Sequence, residues 1–159
     1  MHHLRLLTAA DLPRVLAIQS EAYTAAFLEP EETFAAKLRL FPSGCCAALR
    51  AGLIEGYLFS HPWRGSEPVP LAIATLTLPA QPDCYYIHDL AVANSARGSG
   101  VGKLLVRHAL SIAGRMKLRR TLLVAVQDSQ RFWAHYGFVA LQELTYAGQP
   151  AALMQRTEG

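Results

Sequence analysis

The sequence predicts an α/β domain, and three observations carry that prediction. A strand-like run, a glycine-rich turn, an amphipathic helix and a second strand succeed one another between residues 85 and 126. Two hairpin signals flank that unit, one at residues 44–60 around Ala51-Gly52 and one at residues 138–156 around the turn at residues 147–150. Two capped stretches with apolar residues at helical spacing lie between the first strand and the first hairpin.

Taken in order, residues 3–7 form a short apolar strand. Thr8 and Asp11 then have the form of a capping box, and Leu12, Val15, Leu16 and Ile18 place a helix over residues 9–22. Pro30 among Glu29, Glu31 and Glu32 marks a second helix start, with Phe34, Leu38 and Phe41 on one face and Pro42 as its stop. Tyr23, Phe27 and Phe34 suit either core packing or the wall of a pocket. Residues 44–50 and 53–60 read as hairpin strands, residues 61–70 as a proline-rich break, and residues 71–78 as an additional strand or an extended loop. The strand at residues 85–92 leads into a helix over residues 100–114, for which Gly114 is the expected stop. Residues 121–126, TLLVAV, are a continuous apolar run of the kind buried on both faces. A short helix over residues 130–136 follows, ended by Gly137, and then the final hairpin of residues 138–146 and 151–156.

Bulk properties narrow the class. At 159 residues the chain is read as one domain spanning residues 1–159, and 52% hydrophobic with 17% charged residues exclude intrinsic disorder. No apolar run is long enough to span a bilayer and the N-terminus lacks a secretory pattern, so the expectation is a soluble, cytoplasmic protein with no membrane partner. Three cysteines without C-x-x-C spacing read as core thiols, and no metal is expected. The only concentrated basic run, residues 115–120, reads as a solvated helix end, so no nucleic acid is expected.

The chemistry concentrates in Arg97-Gly98-Ser99-Gly100-Val101-Gly102-Lys103. A strand feeding a glycine turn into a helix start aims several free N–H groups at one spot, where the helix dipole favours an anion. Glycines let the backbone approach that anion, and Arg97 and Lys103 put cations at either end. The spacing departs from the dinucleotide fingerprint at its third glycine. It also departs from the Walker loop, since Gly98 and Gly102 are too close and Leu104 follows Lys103.

This segment resembles the R/Q-x-x-G-x-G/A motif of the GNAT superfamily of N-acetyltransferases. The resemblance extends to Leu90-Ala91-Val92 before it and to Phe132-Trp133-Ala134-His135-Tyr136-Gly137-Phe138 after it, which is similar to F-Y-x-x-x-G-F. It implies a GNAT-like fold, with a mixed, mostly antiparallel sheet of six or seven strands flanked by about four helices. It also implies transfer of acetyl from acetyl-CoA to a primary amine of a small molecule or peptide, in a ternary complex. The alternative is a non-catalytic CoA-binding module, and a homodimer is compatible with either. By the same resemblance, the amides from Arg97 through Lys103 would hold the CoA pyrophosphate. Leu90, Ala91 and Val92 would meet the acetyl group and pantetheine arm, with Gln127, Ser129 and Trp133 along the opposite strand and its helix.

Amine transfer needs a proton acceptor, because an alkyl ammonium with pKa near 10.4 costs roughly 4.6 kcal/mol to deprotonate at pH 7. His88, two residues before Leu90, is expected on the same strand face as Leu90 and is the candidate base or water-orienting group. Asp89 falls on the opposite face if the strand is regular. For the departing thiolate, Trp133 replaces the family's tyrosine and Tyr136 is the candidate acid; solvent is the other source of that proton.

Overall fold

The computed structural model describes residues 1–158. Its strands are β1 (His3–Leu6), β2 (Cys45–Arg50), β3 (Leu53–Trp63), β4 (Cys84–Val92), β5 (Arg120–Val126), β6 (Val139–Tyr146) and β7 (Gln149–Thr157); its helices are α1 (Leu12–Ala22), α2 (Glu31–Leu40), α3 (Val101–Arg115) and α4 (Gln130–Ala134). The strands form one sheet in the order β1-β2-β3-β4-β5-β7-β6. Every neighbouring pair is antiparallel except β4 and β5, as the crossover through α3 requires.

Each face of the sheet is covered by helices. On one, Leu12, Val15 and Ile18 of α1 and Phe34 of α2 bury against Tyr57 and Phe59. On the other, Val101, Leu105, Ala109 and Ile112 of α3 bury against Leu58, Tyr85 and Ile87. Close approach of α3 to the sheet depends on Gly56, where an added Cβ would lie 2.6 Å from Val101 Cγ1 and 3.1 Å from Leu105 Cδ1. Overpacking of this kind costs about 1–3 kcal/mol. Gly56→Ala should therefore lower the melting temperature by several degrees, and calorimetric scans of the two proteins check it.

Several boundaries differ from the sequence reading, each for a local reason. Residues 71–78 are loop; Val69 is buried, its N–H donating to Tyr86 Oη at 3.1 Å, so the segment is pinned by side chains rather than by a strand ladder. β3 continues through Pro62 to Trp63, because β2 pairing ends at Phe59 and the proline side of the strand is then free of a ladder partner. Helix α3 runs through Gly114 and ends one residue later, at Arg115. Beyond it Lys117 takes φ +60°, and Leu118 N–H reaches back to Ala113 O at 2.9 Å, a Schellman closure made without glycine. The second helix begins at Glu31, with Pro30 as the extended residue before it.

Arg120 binds Asp83 Oδ1 at 3.0 Å and Gly65 O at 2.9 Å, anchoring the long β3–β4 loop. Cys45, Cys46 and Cys84 are free and buried, and burial pushes each thiol up to about 12, far from the range of a reactive thiolate. No described helix is long and apolar enough to cross a membrane.

Candidate active site

The site begins where β4 and β5 part. Their parallel register covers only Tyr85–Ile87 against Thr121–Leu123, although β4 continues to Val92 and β5 to Val126. The diverging ends leave a groove of about 460 Å3. Its floor is the freed edge of β4 at Leu90, Ala91 and Val92, and its far wall is Val124, Val126, Ser129 and Trp133.

One end of the groove is the start of α3. Gly98 and Gly100 take φ of +78° and +91°, with open space where a side chain would stand. The first bond of the helix is Leu104 N–H to Gly100 O at 3.1 Å. Upstream of it, the N–H groups of Gly100, Val101, Gly102 and Lys103 make no bond among the described residues, as expected of a helix start. Arg97, Gly98, Val101 and Gly102 line the groove, whereas Ser99, Gly100 and Lys103 sit in the same turn without lining it. The Ser99 hydroxyl turns inward to Ala96 O. A phosphate fits this turn by the same donors that the helix leaves free.

The other end is a buried polar cluster that sequence alone did not assemble. Between Phe59–Asp89 and Ser60–Ile87 the β3–β4 register slips, so His88 is an extra residue in β4. The bulge resets the alternation. Tyr85 and Ile87 face α3, but His88 and Asp89 both turn toward α1 and α2: His88 Nε2 meets Glu29 Oε1 at 2.9 Å and Asp89 meets Tyr23 and Tyr57. The expectation that His88 shares the face of Leu90 is thus corrected, and so is the placement of Asp89 opposite His88.

Each group in the cluster has a definable state. The His88 side chain is fully buried, and burial pulls its pKa below the ordinary value despite the Glu29 contact. Because a carboxylate only accepts, Nε2 carries the imidazole proton; Nδ1 is then a buried lone pair without a partner. Burial pushes Glu29 upward, but the His88 bond, the Ala72 amide at 2.8 Å and Lys37 together outweigh it and hold the carboxyl below its usual value. Lys37 is pulled down by burial, and its Nζ has no hydrogen-bond partner. Asp89 is 7% exposed and is pushed up to about 7, first by burial and then by the Glu29 charge, against the opposing Tyr23, Tyr57 and Lys37 contacts.

Other expected site residues occupy distinct places. Trp133 lines the groove, packed at 5.5 Å between ring centroids against Phe138. Tyr136 is not among the lining residues; its ring packs on Phe132 and His135. Gln127 is at the lip with φ +53°, and its amide spans the groove mouth, accepting from Thr24 N–H at 2.8 Å and donating to Ala22 O at 2.9 Å. It therefore clamps the segment that carries Tyr23. Gln127→Ala removes both bonds, each worth about 1 kcal/mol net, and should speed hydrogen exchange at the Thr24 amide roughly tenfold.

Comparison with known proteins bears directly on this arrangement. The model of the Acetyltransferase (GNAT) family matches residues 12–138, most of the chain and all of the groove except Tyr146. The chain belongs to the GNAT acetyltransferase family. No curated protein matches the sequence at a significant level. Among solved structures, this GNAT chain is similar to the loading GNATL domain of CurA from Lyngbya majuscula, with TM-score 0.86, 12% identity and coverage of 99% of this chain and 98% of that one. It is also similar to the GphF GNAT-like decarboxylase in complex with isobutyryl-CoA (TM-score 0.82, 16% identity, 98% of each chain). A third is the ribosomal-protein-S18-alanine N-acetyltransferase from Escherichia coli (TM-score 0.72, 17% identity, 99% of this chain and 94% of that one). At these identities the likeness is one of fold, and the GNAT fold expected from the sequence, a mostly antiparallel seven-stranded sheet with four helices, is the one observed.

Proposed function

We propose that this GNAT protein transfers the acetyl group of acetyl-CoA to a primary amine by direct attack within a ternary complex. The observation that carries the reading is that one groove joins a row of free amides at the start of α3 to a buried carboxylate and tyrosine cluster at the other end. The first end suits a pyrophosphate and the second suits an ammonium that must lose a proton.

In this reading the amides of Gly98 and of Gly100 through Lys103 hold the pyrophosphate, with Arg97 and Lys103 as flanking cations. Each bond to a charged oxygen contributes about 1.5–3 kcal/mol. The freed edge of β4 at Leu90, Ala91 and Val92 takes the pantetheine arm and the acetyl carbonyl, while Ser129 and Trp133 cover the arm from the β5 side. Acetyl-CoA supplies the activated acyl group; the chain aligns it and excludes bulk water. Tyr23, Phe27, Leu71 and Tyr146 wall the acceptor end, and their aromatic and apolar surfaces favour an amine attached to a hydrocarbon body. The indole N–H of Trp133 is no acid near neutral pH, and Tyr136 stands off the groove, so the departing thiolate takes its proton from solvent.

The test is a mass-spectrometric search for N-acetylated product, with thiol release measured in parallel, across spermidine, phenethylamine, lysine ethyl ester and an alanine-starting peptide. Acetylation of at least one amine in proportion to free CoA is the expected outcome. Tight acetyl-CoA binding without product from any amine would leave a CoA-binding module and overturn the transferase reading.

A further inference from the structure

Tyr23 Oη stands 2.7 Å from Asp89 Oδ1 and 3.0 Å from Leu90 O. A phenol has one proton, and both of these neighbours accept when Asp89 is ionised, so only one of the two contacts is then a hydrogen bond. When Asp89 is protonated the conflict disappears. The carboxyl O–H donates to Tyr23 Oη, Tyr23 donates to Leu90 O, and Tyr57 Oη donates to Asp89 Oδ2 at 2.9 Å. The geometry is therefore complete in the proton-loaded state and strained by one missing bond in the unloaded state, as a proton acceptor's should be.

Location adds the second argument. Tyr23 and Asp89 both line the groove, and Leu90 lies on the β4 edge assigned above to the thioester. A nucleophile attacking there would pass within reach of Tyr23 Oη; His88 also lines the groove, but its side chain exposes no surface and its Nε2 is committed to Glu29.

Resting on the acetyltransferase reading, we infer that Tyr23 and Asp89 form the proton-accepting pair of this site, with Tyr23 as the group that meets the amine. The ammonium gives one proton to Tyr23 Oη as Tyr23 passes its own to Asp89 Oδ1. The free amine then forms the N–C bond to the acetyl carbon, the C–S bond breaks, and the second amine proton is lost as the CoA thiolate takes one from solvent. Asp89 returns its proton to solvent between turnovers. One proton is released per amide formed, and no further reactant is needed.

The charged and titratable groups facing Asp89 are Tyr23 just after α1, Glu29 before α2, Lys37 from α2, Tyr57 from β3, His88 beside it on β4 and Tyr146 from β6. The burial and the Glu29 charge that hold Asp89 near 7 place its unloading in the working range.

The experiment measures kcat/KM against pH with the best amine of the panel for the wild type, Asp89→Asn and Tyr23→Phe. Beside it, the protonated-carboxyl stretch is followed in infrared difference spectra of the wild type against Asp89→Asn. Asparagine can donate to one tyrosine oxygen and accept from the other, so this variant keeps the loaded-state network and folds. The wild type should show a rising limb with a midpoint near 7 in both the rate and the infrared titration. Asp89→Asn should lose that limb together with about 100-fold in kcat, and Tyr23→Phe should lose a similar factor in kcat while Asp89 still titrates by infrared. Superimposable pH profiles, or a carboxyl that stays ionised down to pH 4, would overturn the pair while the transferase reading stands. Absence of any acetylated amine with acetyl-CoA bound rejects the transferase reading and the pair with it.

Discussion

Gly102→Leu should abolish measurable acetyl-CoA binding while leaving the fold intact. Gly102 is the second residue of α3 and has an ordinary helical backbone, so leucine meets no conformational penalty there. Its Cβ would stand 3.3 Å from the Phe132 ring and 3.9 Å from Val92, which puts the rest of the side chain across the groove between α3 and α4. A ligand displaced from the turn loses two or more charge-assisted bonds of about 1.5–3 kcal/mol each, and at 1.4 kcal/mol per decade the affinity falls by about 100-fold or more. Isothermal titration with acetyl-CoA, paired with a circular dichroism melt, separates loss of binding from loss of structure. Retained affinity in the folded variant would move the cofactor out of this groove.

Asp89→Asn should make the protein more heat-stable at pH 8 and leave it unchanged at pH 4. A carboxyl whose native pKa of about 7 lies above its ordinary 3.8 binds its proton more tightly when folded. The stability it contributes is therefore fully present below pH 3.8 and is lost as the pH rises through 7. The difference of about three units corresponds to about 4 kcal/mol at 1.36 kcal/mol per unit, or about 10 °C in melting temperature for a chain of this size. Asparagine carries no charge at either pH, so it escapes that loss. Melts of both proteins from pH 4 to 8 read the effect directly, and parallel curves would mean that Asp89 is ionised in the native state throughout. Stability forgone at neutral pH for a proton acceptor is a common cost of active-site chemistry.

What was legible in the sequence follows from how local each signal is. The turn at residues 97–103 declares itself because glycines, flanking cations and the change from strand to helix pattern all fall within one short segment, and it is where the groove's amides converge. The apolar run at residues 121–126 and both hairpins were equally local. By contrast, the bulge at His88 depends on two strands differing by one residue between Phe59 and Asp89, and nothing in either strand's own pattern marks it. Counting alternation through that point put His88 and Asp89 on opposite faces. The same long-range origin hides the Tyr23–Asp89 bond, which spans 66 residues, and the Gln127 clamp, which spans 103 to Thr24. The stop at Lys117 is hidden in the sequence for a different reason: its left-handed backbone is imposed by the Leu118 contact, on a residue type that rarely adopts it.

The most direct measurement of the central claim is a backbone-amide NMR titration of the wild-type protein with acetyl-CoA. The account predicts that the largest shifts fall on Gly98 and on Gly100 through Lys103, followed by Leu90 through Val92, with β1 unmoved. Saturable binding whose largest shifts lie elsewhere, or the absence of saturable shifts at the start of α3, would contradict it.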